Sequence, residues 1–334
     1  MNILEVCSAS ALGGGEVHVA QLVDELRRRG HRVEVAGRAG GPLSCDHTLP
    51  FRNAVDLPSV IRLGRIVGGG GFDIVHAHLA RDYPVAAAAL VGRPIPKLVL
   101  TRQLIHRVGW NPLYRRVDGW IATTRRIEQT LAHLRPKHVA VVPNWVDSKS
   151  LDYGERPLRD PIVIGLLGQI SPHKGHDDAL RMIGKLGPGF RLLFGGRGRD
   201  DYVAALKDRA RTLPVEFMGF VEAASFLGKL DVLILPSWEE PFGIVVLEAM
   251  AAGVNVIATN AGGPPEILDH GRCGSLVPPR DPEALAEAVR TLVSDPNLAG
   301  QFRERARARV VGHYDISQVV PRIEAFFRKV TDNT

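Results

Sequence analysis

Two glutamates with seven residues between them carry the strongest chemical signal in this chain of 334 residues. Glu240 follows an apolar run and lies in a loop, and Glu248 lies about one turn into the predicted helix 244–250, which is otherwise apolar. A carboxylate in such a helix is costly to bury without partners. An exposed helix edge would explain Glu248, and so would the paired hydroxyls of a sugar or a ribose.

Two neighbouring features of the sequence suit a phosphate. The start of the same helix offers the backbone N–H groups of Gly243, Ile244 and Val245, which favour an anion. Lys174 lies in a second loop, 168–175, between a predicted strand and a predicted helix, where its ammonium could bind phosphate. A single lysine in a loop is also commonly just solvated, so Lys174 alone does not decide between the two interpretations.

Two glycine-rich loops are further candidates. Glycines 13–15 precede a predicted helix, where the backbone could approach an anion closely, although a simple tight turn explains them equally well. They do not form the dinucleotide fingerprint, because His18 occupies the position of its third glycine. In the loop 258–266, Gly262-Gly263 could serve close packing of the loop instead of ligand contact.

Alternating strands and helices must position these loops. The first half predicts strands at residues 3–7, 31–36, 74–76, 97–101, 120–122 and 139–142. After a turn-rich linker at 143–161, the second half predicts strands at 162–167, 191–194, 215–218, 232–235 and 255–258, and the chain ends in helices at 284–293, 301–311 and 317–330. Such alternation predicts two doubly wound parallel sheets, which bind ligands outside the carboxyl ends of their strands.

The composition indicates a globular protein without a disulfide framework. Hydrophobic residues make up 45% and charged residues 23% of the chain, which is typical of soluble domains. Cys7, Cys45 and Cys273 share no short spacing, so we expect reduced thiols and no cysteine-based zinc site. Glu5 interrupts the first apolar stretch, which therefore does not resemble a signal peptide, and no apolar run approaches membrane-spanning length. We expect a cytoplasmic protein.

The net charge of +6 comes entirely from residues 1–155, which hold 20 Lys and Arg against 14 Asp and Glu. A basic half can face anionic lipid or a phosphorylated substrate, or be ordinary surface. Nucleic-acid binding is not expected, because aromatic residues are only 6% of the chain and no recognition motif is present. The candidate membrane surface consists of Arg102, Arg107, Arg115 and Arg116 around Leu104, Ile105, Val108 and Trp110, although an acceptor loop or plain surface explains it equally well.

Further segments accompany the two glutamates in a fixed order along the chain. They are 13–16, 30–33, His76-Ala77-His78, 143–147, His173-Lys174-Gly175, 195–198, 217–221, the run 240–253 and Gly262-Gly263-Pro264-Pro265-Glu266. With its E-x7-E motif from Glu240 to Glu248, this series resembles the retaining glycosyltransferases of family 4. The resemblance spans nearly the whole chain and is most specific in the C-terminal half.

The resemblance implies the GT-B fold, an α/β architecture of two Rossmann-like doubly wound domains facing a central cleft. It implies an acceptor-side domain over 1–155, a nucleotide-sugar domain over 156–316, and a last helix, 317–334, packed on the first domain. It further implies retaining transfer of a hexosyl group from a nucleotide-sugar, for which we expect UDP first and GDP second. The implied acceptor is a lipid-linked saccharide, lipopolysaccharide or polysaccharide at the cytoplasmic membrane face. No cofactor or metal is expected, and the chain has no D-x-D triplet.

Site roles also follow from the resemblance. Glu240 would hold hydroxyls of the donor sugar, Glu248 would bind the ribose, and Lys174 would neutralise the leaving diphosphate. His78 would lie near the transferred sugar. The remaining donor contacts would come from the N–H groups of Phe242, Gly243, Ile244 and Val245, from Gly14 and Gly15 at the diphosphate, and from Gly196, Arg197, Gly219 and Val221 at the base.

Two residues depart from the family pattern, and one of them is Trp145, which stands where members often have a glycine. The other is Gln169, which stands where members usually carry an arginine. It is expected to bind the donor through its amide, which can donate a hydrogen bond but carries no charge, so stabilisation of the leaving group must rest more on Lys174 and the helix dipole. This keeps open a catalytically weak, sugar-nucleotide-binding scaffold subunit of a polysaccharide assembly as a second hypothesis. A two-domain nicotinamide dehydrogenase is a third, against which the missing G-x-G-x-x-G fingerprint argues.

Overall fold

The computed structural model describes residues 1–10, 14–52, 56–154 and 158–332, with only the backbone of Gly14 and Glu16. The chain divides into two compact units. The first comprises Met1–Asn144 together with Ile316–Thr334, and the second comprises Trp145–Asp315. Each unit is built on one parallel sheet with helices, which confirms the predicted α/β class. Within the described ranges, every helix is too short or too polar to cross a membrane.

The first unit contains a parallel sheet of seven strands in the order β3-β2-β1-β4-β5-β6-β7. The strands are β1 (Asn2–Cys7), β2 (Arg32–Arg38), β3 (His47–Leu49), β4 (Ile74–Ala77), β5 (Lys97–Arg102), β6 (Gly119–Ala122) and β7 (Val139–Val141). The helices among them are α1 (Gly14–Arg28), α2 (Leu57–Gly70), α3 (Asp82–Ala89) and α4 (Arg125–Leu131). The order reverses between β1 and β4, which places the loops after these two strands side by side.

The second unit contains a parallel sheet of six strands in the order β10-β9-β8-β11-β12-β13. The strands are β8 (Ile162–Leu167), β9 (Phe190–Gly195), β10 (Val215–Gly219), β11 (Val232–Leu235), β12 (Asn255–Thr259) and β13 (Ser275–Val277). The helices are α5 (His176–Leu186), α6 (Asp200–Arg209), α7 (Ala223–Leu227), α8 (Ile244–Ala251), α9 (Pro264–Ile267), α10 (Pro282–Ser294) and α11 (Pro296–Arg309). Here the reversal lies between β8 and β11, so the loops that carry Lys174 and Glu240 are neighbours.

Local sequence explains where the strands and helices lie. Strands β4, β6, β11 and β12 are buried at every position, as expected for parallel strands covered by helices on both faces. An aspartate directly precedes each of the helices α10 and α11, and its side chain accepts the backbone N–H of the third helical residue. A proline occupies the first helical position of both helices. These caps start both helices earlier than the apolar pattern predicted.

The last helix, α12 (Ile316–Asp332), belongs to the first unit. Glu324 of this helix accepts hydrogen bonds from the guanidinium of Arg29 at 2.7 and 2.9 Å, and its other oxygen lies 2.5 Å from Nε2 of His31. Ile323 and Phe327 are buried on the same helix. A carboxylate paired with two basic groups and an apolar face therefore fix α12 within the first unit.

The boundary between the units lies earlier than the predicted 155/156 division. The structure divides the chain between Asn144 and Trp145 and again after Asp315. The N–H of Val146 donates to the carbonyl of Tyr314 at 3.0 Å, and the Ser148 hydroxyl donates to the Asp315 carboxylate at 2.5 Å. These contacts place the segment after Asn144 in the second unit, because its backbone is satisfied there.

Candidate active site

Lys174 and Glu240 form an ion pair in the second unit. Nζ of Lys174 donates to Oε2 of Glu240 at 2.7 Å, and the hydroxyl of Ser237 donates to the same oxygen at 3.1 Å. Glu240 is only 7% exposed. The structure therefore brings together two residues that the sequence placed in one site and adds Ser237, which sequence reasoning missed although it lies three residues before Glu240.

Trp238 joins the two loops that carry this ion pair. Its backbone N–H donates to the carbonyl of His173 at 2.8 Å, and its indole Nε1–H donates to the carboxylate of Asp178 at 2.8 Å. The guanidinium of Arg280 lies 4.1 Å from the centre of the indole ring. Because His173 directly precedes Lys174, these contacts fix the distance between the ammonium and the loop of Glu240.

Two glycines allow the loops to approach at backbone distance. A Cβ on Gly175, whose φ is +74°, would lie 2.1 Å from the carbonyl oxygen of Pro236. A Cβ on Gly262, whose φ is +98°, would lie 1.9 Å from the carbonyl oxygen of Glu240, which also accepts the N–H of Gly263 at 2.8 Å. The glycine pair therefore packs closely against the backbone of Glu240: Gly262 leaves room for its carbonyl, and Gly263 donates a hydrogen bond to it.

The amino end of α8 points its free N–H groups out of the helix beside Glu240. Gly243 precedes the helix in a left-handed conformation with φ of 101°, and no side chain caps this end. The N–H groups of Ile244 and Val245 have no acceptor within the helix, as is general for the first turn. Phe242 is 4% exposed and packs with its ring centre 6.4 Å from that of Tyr314. This end of α8 is chemically suited to an anion.

Glu248 is half-buried one turn further into α8. Burial and the negative charge of Glu222 raise the pKa of Glu248 from 4.5 to about 7. No side chain or N–H of the described ranges donates a hydrogen bond to its carboxylate. A carboxyl without a donor in an apolar helix is the kind of group that a bound ligand satisfies.

The loops after β9 and β10 lie next to each other. The N–H of Gly196 donates to the carbonyl of Gly219 at 2.6 Å, and Val221 is half-buried beside them. The guanidinium of Arg197 lies 5.4 Å from the ring centre of Phe220, which is 68% exposed. The predicted base-binding residues are thus adjacent, and Phe220 adds an exposed aromatic face that was not among the predicted site residues.

In the first unit, His78 follows β4 and is 5% exposed. Its Nε2 lies 2.6 Å from Oε2 of Glu5, and its ring centre lies 4.2 Å from that of His76. Burial lowers the pKa of His78, and the neighbouring His76 lowers it further. Burial alone would raise the pKa of Glu5, but the two imidazoles lower it to about 2.

The predicted glycine loop is described only in part. Gly13 lies outside the described residues, whereas Gly14 and Gly15 form the first turn of α1 directly after the β1 loop. Gly15 is half-buried, and a Cβ there would lie 3.6 Å from the side-chain oxygen of Gln103. The two glycines therefore stand at a helix start, as the sequence predicted.

Of the side chains in the described ranges, Glu5, His76 and His78 have donor atoms close enough to hold one metal ion. The 2.6 Å between Glu5 Oε2 and His78 Nε2 is a hydrogen-bond length. Two ligands on one tetrahedral zinc, each about 2.0 Å from the ion, lie about 3.3 Å apart. The arrangement is therefore that of a hydrogen-bonded pair.

Two family models match consecutive parts of the chain. The model described as Glycosyltransferase Family 4 matches residues 12–150, and the model described as Glycosyl transferases group 1 matches residues 154–309. The chain belongs to glycosyltransferase family 4.

Two curated relatives of this family 4 chain come from mycobacteria. A glycogen synthase of Mycobacterium tuberculosis is 28% identical over 73% of this chain, which covers 65% of the relative's length. A phosphatidyl-myo-inositol mannosyltransferase of Mycolicibacterium smegmatis is 29% identical over 99% of this chain and 94% of its own length. The second relative matches this chain from end to end.

The fold has solved counterparts. Anabaena Alr3699/HepE, crystallised in complex with UDP, superposes with a TM-score of 0.84 at 21% identity, covering 98% of this chain and all of that one. A likeness at this level of identity shows the fold, and it confirms the predicted GT-B class.

Gln169, at the position where the resemblance leads us to expect an arginine, lies at the surface. Gln169 is exposed between β8 and the short turn Pro172–Lys174. An amide carries no charge, so it cannot add to the positive potential of Lys174. The departure noted in the sequence is therefore a difference in charge at an accessible position of the loop.

The structure contradicts part of the candidate membrane surface. Arg102 is 5% exposed and donates to the carbonyl of His106, and Val108 is buried. Arg116 donates to two backbone carbonyls at 2.9 and 2.6 Å and to the carboxylate of Asp118. These side chains complete the interior of the first unit, and the exposed members of the set are Leu104, Arg107, Trp110 and Arg115.

Proposed function

We propose that this chain is a retaining glycosyltransferase that transfers a hexosyl group from a nucleotide-sugar to a lipid-linked or polysaccharide acceptor at the cytoplasmic membrane face. The donor class is a UDP-sugar first and a GDP-sugar second. One observation carries the proposal: the Lys174–Glu240 ion pair lies beside the start of α8, with Glu248 lacking a donor one turn into that helix. A nucleotide-sugar offers hydroxyls and phosphates that suit the ion pair, the start of α8 and Glu248.

The ion pair leaves binding capacity on both partners. Oε2 of Glu240 is engaged by Lys174 and Ser237, so its other oxygen is the acceptor that we assign to hydroxyls of the donor sugar. An ammonium has three N–H donors, of which Glu240 takes one. The remaining donors of Lys174, with the N–H groups of Phe242, Gly243, Ile244 and Val245, would bind the diphosphate and the sugar end of the donor.

Glu248 would bind the ribose. Two adjacent hydroxyls can both donate to one carboxylate, and such bonds favour its charged form. Donor binding would therefore lower the pKa of Glu248 from its ligand-free value of about 7. This role accounts for a carboxylate that the folded protein itself leaves without a donor.

The nucleobase would lie against the loops after β9 and β10. Gly196, Arg197, Gly219 and Val221 supply mostly backbone there, and the exposed ring of Phe220 supplies a flat face beside Arg197. For the first unit, Gly14, Gly15 and His78 stay predicted donor-site residues on the family resemblance.

The chemistry needs no protein nucleophile. The bond from the sugar C1 to the leaving phosphate oxygen breaks on the same face at which the acceptor oxygen bonds to C1, and the acceptor proton passes to that phosphate oxygen. Lys174 and the α8 N–H groups stabilise the charge on the departing diphosphate. We propose that no metal ion takes part, so transfer should persist in excess chelator.

The acceptor and membrane parts of the proposal rest on the relatives and on one surface. The mycobacterial mannosyltransferase acts, by its name, on phosphatidyl-myo-inositol, and HepE has been crystallised with UDP and with UDP-glucose. In this chain, Leu104 and Trp110 are 47% and 73% exposed near the exposed Arg107 and Arg115. An apolar and basic surface of this kind suits an anionic headgroup region.

Gln169 favours one alternative, a sugar-nucleotide-binding subunit with little transfer activity. It would bind the donor through the same residues but stabilise the leaving diphosphate weakly, because the loop holds one cation where family members usually hold two. Gln169→Arg should then raise the rate of transfer or of donor hydrolysis at least tenfold. An equal rate in both proteins would remove this alternative.

The test is a thermal-shift panel of UDP, GDP, ADP and CMP and their sugars with the wild type and Glu248→Ala. A ligand at about 100 times its dissociation constant stabilises the fold by roughly 2.7 kcal/mol. We expect one nucleotide to stabilise the wild type and to have little effect on the variant. The bound donor is then supplied with membrane extract, and the anomeric configuration of the product is read by NMR. An inverted product, or stabilisation equal in both proteins, would contradict the proposal.

A further inference from the structure

Glu5 is a fully buried carboxylate in a sheet strand that is otherwise apolar apart from its first residue. It lies in β1 directly beside His76 of β4 in the parallel register. A charge in this position is costly unless other groups pair with it, and removing one partner of a buried pair is strongly destabilising. The contacts of Glu5 must therefore offset the free-energy cost of burying its charge.

One of those contacts is a directed hydrogen bond. Oε2 of Glu5 lies 2.6 Å from Nε2 of His78 in hydrogen-bond geometry. Nδ1 of His76 lies 3.0 Å from the same oxygen but without hydrogen-bond alignment, and Nε2 of His76 pairs with the hydroxyl of Thr101 at 2.7 Å. The carboxylate thus selects one nitrogen of His78.

The proton balance fixes the state of the His78 ring. Glu5 is ionised at neutral pH and can only accept, so Nε2 of His78 must carry the hydrogen. Burial lowers the pKa of His78, so the neutral ring with one N–H is the favoured form. Its Nδ1 is then an unprotonated acceptor, and it has no hydrogen-bond partner in the described ranges.

We propose that Glu5 is a positioning residue that locks His78 in the Nε2–H tautomer and thereby presents Nδ1 as the acceptor for a hydroxyl of the sugar or of the acceptor molecule. The hydroxyl partner rests on the proposed function, whereas the tautomer rests on the geometry of the first unit alone. Neither carboxylate nor imidazole forms a covalent bond in this role.

The experiment reads the tautomer directly. Protein labelled with ¹⁵N-histidine is recorded at pH 7 by long-range ¹H–¹⁵N correlation, and the His78 signals are assigned with His78→Asn. We expect the wild type to show one neutral Nε2–H tautomer. Glu5→Gln keeps the shape without the charge, and Glu5→Leu removes the acceptor, so both should show a mixture of tautomers. Glu5→Gln serves alone if the leucine variant does not fold.

The first unit offers a matched control. Glu324 and His31 form a second buried carboxylate–imidazole pair, with 2.5 Å between Oε1 and Nε2. Glu324→Gln should disturb the signals of His31 and leave those of His78 unchanged. In transfer assays, Glu5→Gln should lower kcat about tenfold with little change in the KM for the donor, as expected when one hydrogen bond to the reacting group is lost.

Several results would overturn the proposal. The first is that His78 of the wild type is an imidazolium or carries its hydrogen on Nδ1. The second is that the His78 tautomer stays the same in both Glu5 variants. Stoichiometric Zn²⁺ that shifts the His76 and His78 signals together would show a metal site instead. If the tautomer is as expected but the wild type transfers no sugar, the proposed function fails and the positioning role stands.

Discussion

Glutamine in place of Glu248 should make the ligand-free protein more stable and remove its response to nucleotide. The carboxyl is half-buried in α8, and its pKa of about 7 lies above the ordinary value of 4.5. The folded state therefore binds this proton more tightly than the unfolded chain. Stability is complete below pH 4.5, falls as the pH rises toward 7, and stays low above it.

The magnitude follows from the difference between the two pKa values. At 1.36 kcal/mol per pKa unit, ionising Glu248 in the folded protein costs about 3 kcal/mol at pH 8 and about 1 kcal/mol at pH 5. Glutamine stays neutral and avoids this cost. For a unit of this size, 1 kcal/mol shifts Tm by about 2–4 °C, so Glu248→Gln should raise Tm by about 6–12 °C at pH 8 and by about 2–4 °C at pH 5.

The assay is thermal unfolding of wild type and variant from pH 5 to pH 8, without ligand and with the nucleotide that stabilises the wild type. Glu304→Gln is the control, because Glu304 is an exposed glutamate on α11 of the same unit. A stability gain that does not grow with pH would refute the desolvated carboxylate. A ligand-induced shift that survives in Glu248→Gln would refute the ribose role.

Three further predictions concern other parts of the molecule. Lys174→Met leaves the carboxylate of Glu240 buried without its cation, so the free energy of unfolding should fall by about 2–3 kcal/mol. Adding Glu240→Gln should restore stability but not transfer. A double variant as unstable as the single one would contradict the ion pair. Gly262→Ala places a Cβ against the carbonyl of Glu240 and should lower the rate of transfer at least tenfold. Gly271→Ala is the control, because Gly271 has a similar φ of +97° but open space around it, so this variant measures backbone strain alone. Equal losses of transfer activity in the two variants would rule out the steric explanation. Trp110→Ala should weaken binding to anionic vesicles about tenfold in co-sedimentation without changing the nucleotide thermal shift, and unchanged sedimentation would exclude this surface.

The second-unit site was largely predictable because its residues are close in sequence to helix and strand boundaries. Lys174 and Glu240 lie in loops that follow strands, and parallel topology brings such loops to one edge. Glu248 lies one turn into α8, the helix that follows the loop of Glu240. Ser237 and the contact between Trp238 and Asp178 were not predictable, because the choice of partner depends on the tertiary distance between two loops.

Buried charged side chains and very short strands explain most of the remaining differences between the sequence-based predictions and the structure. Arg102 and Arg116 look like surface residues in a sequence, because the sequence does not show the carbonyls that accept their N–H groups. Strands β3 and β13 have three residues each, too few to establish a period of two. Glu5 appeared only as an interruption of an apolar run, because its partners lie on another strand and in the loop after it.

The ion pair between Lys174 and Glu240 also has a consequence for selectivity. With 2.7 Å between ammonium and carboxylate, the ion pair is locally neutral, so a bare anion that approaches Lys174 also meets the repulsion of Glu240. A ligand that carries hydroxyls beside its phosphates can satisfy the cation and the carboxylate together. We therefore expect the pair to select ligands by charge. Inorganic phosphate, or the terminal phosphate of a nucleoside triphosphate, would be repelled by the carboxylate of Glu240, whereas a molecule that joins a sugar to a diphosphate brings sugar hydroxyls to it.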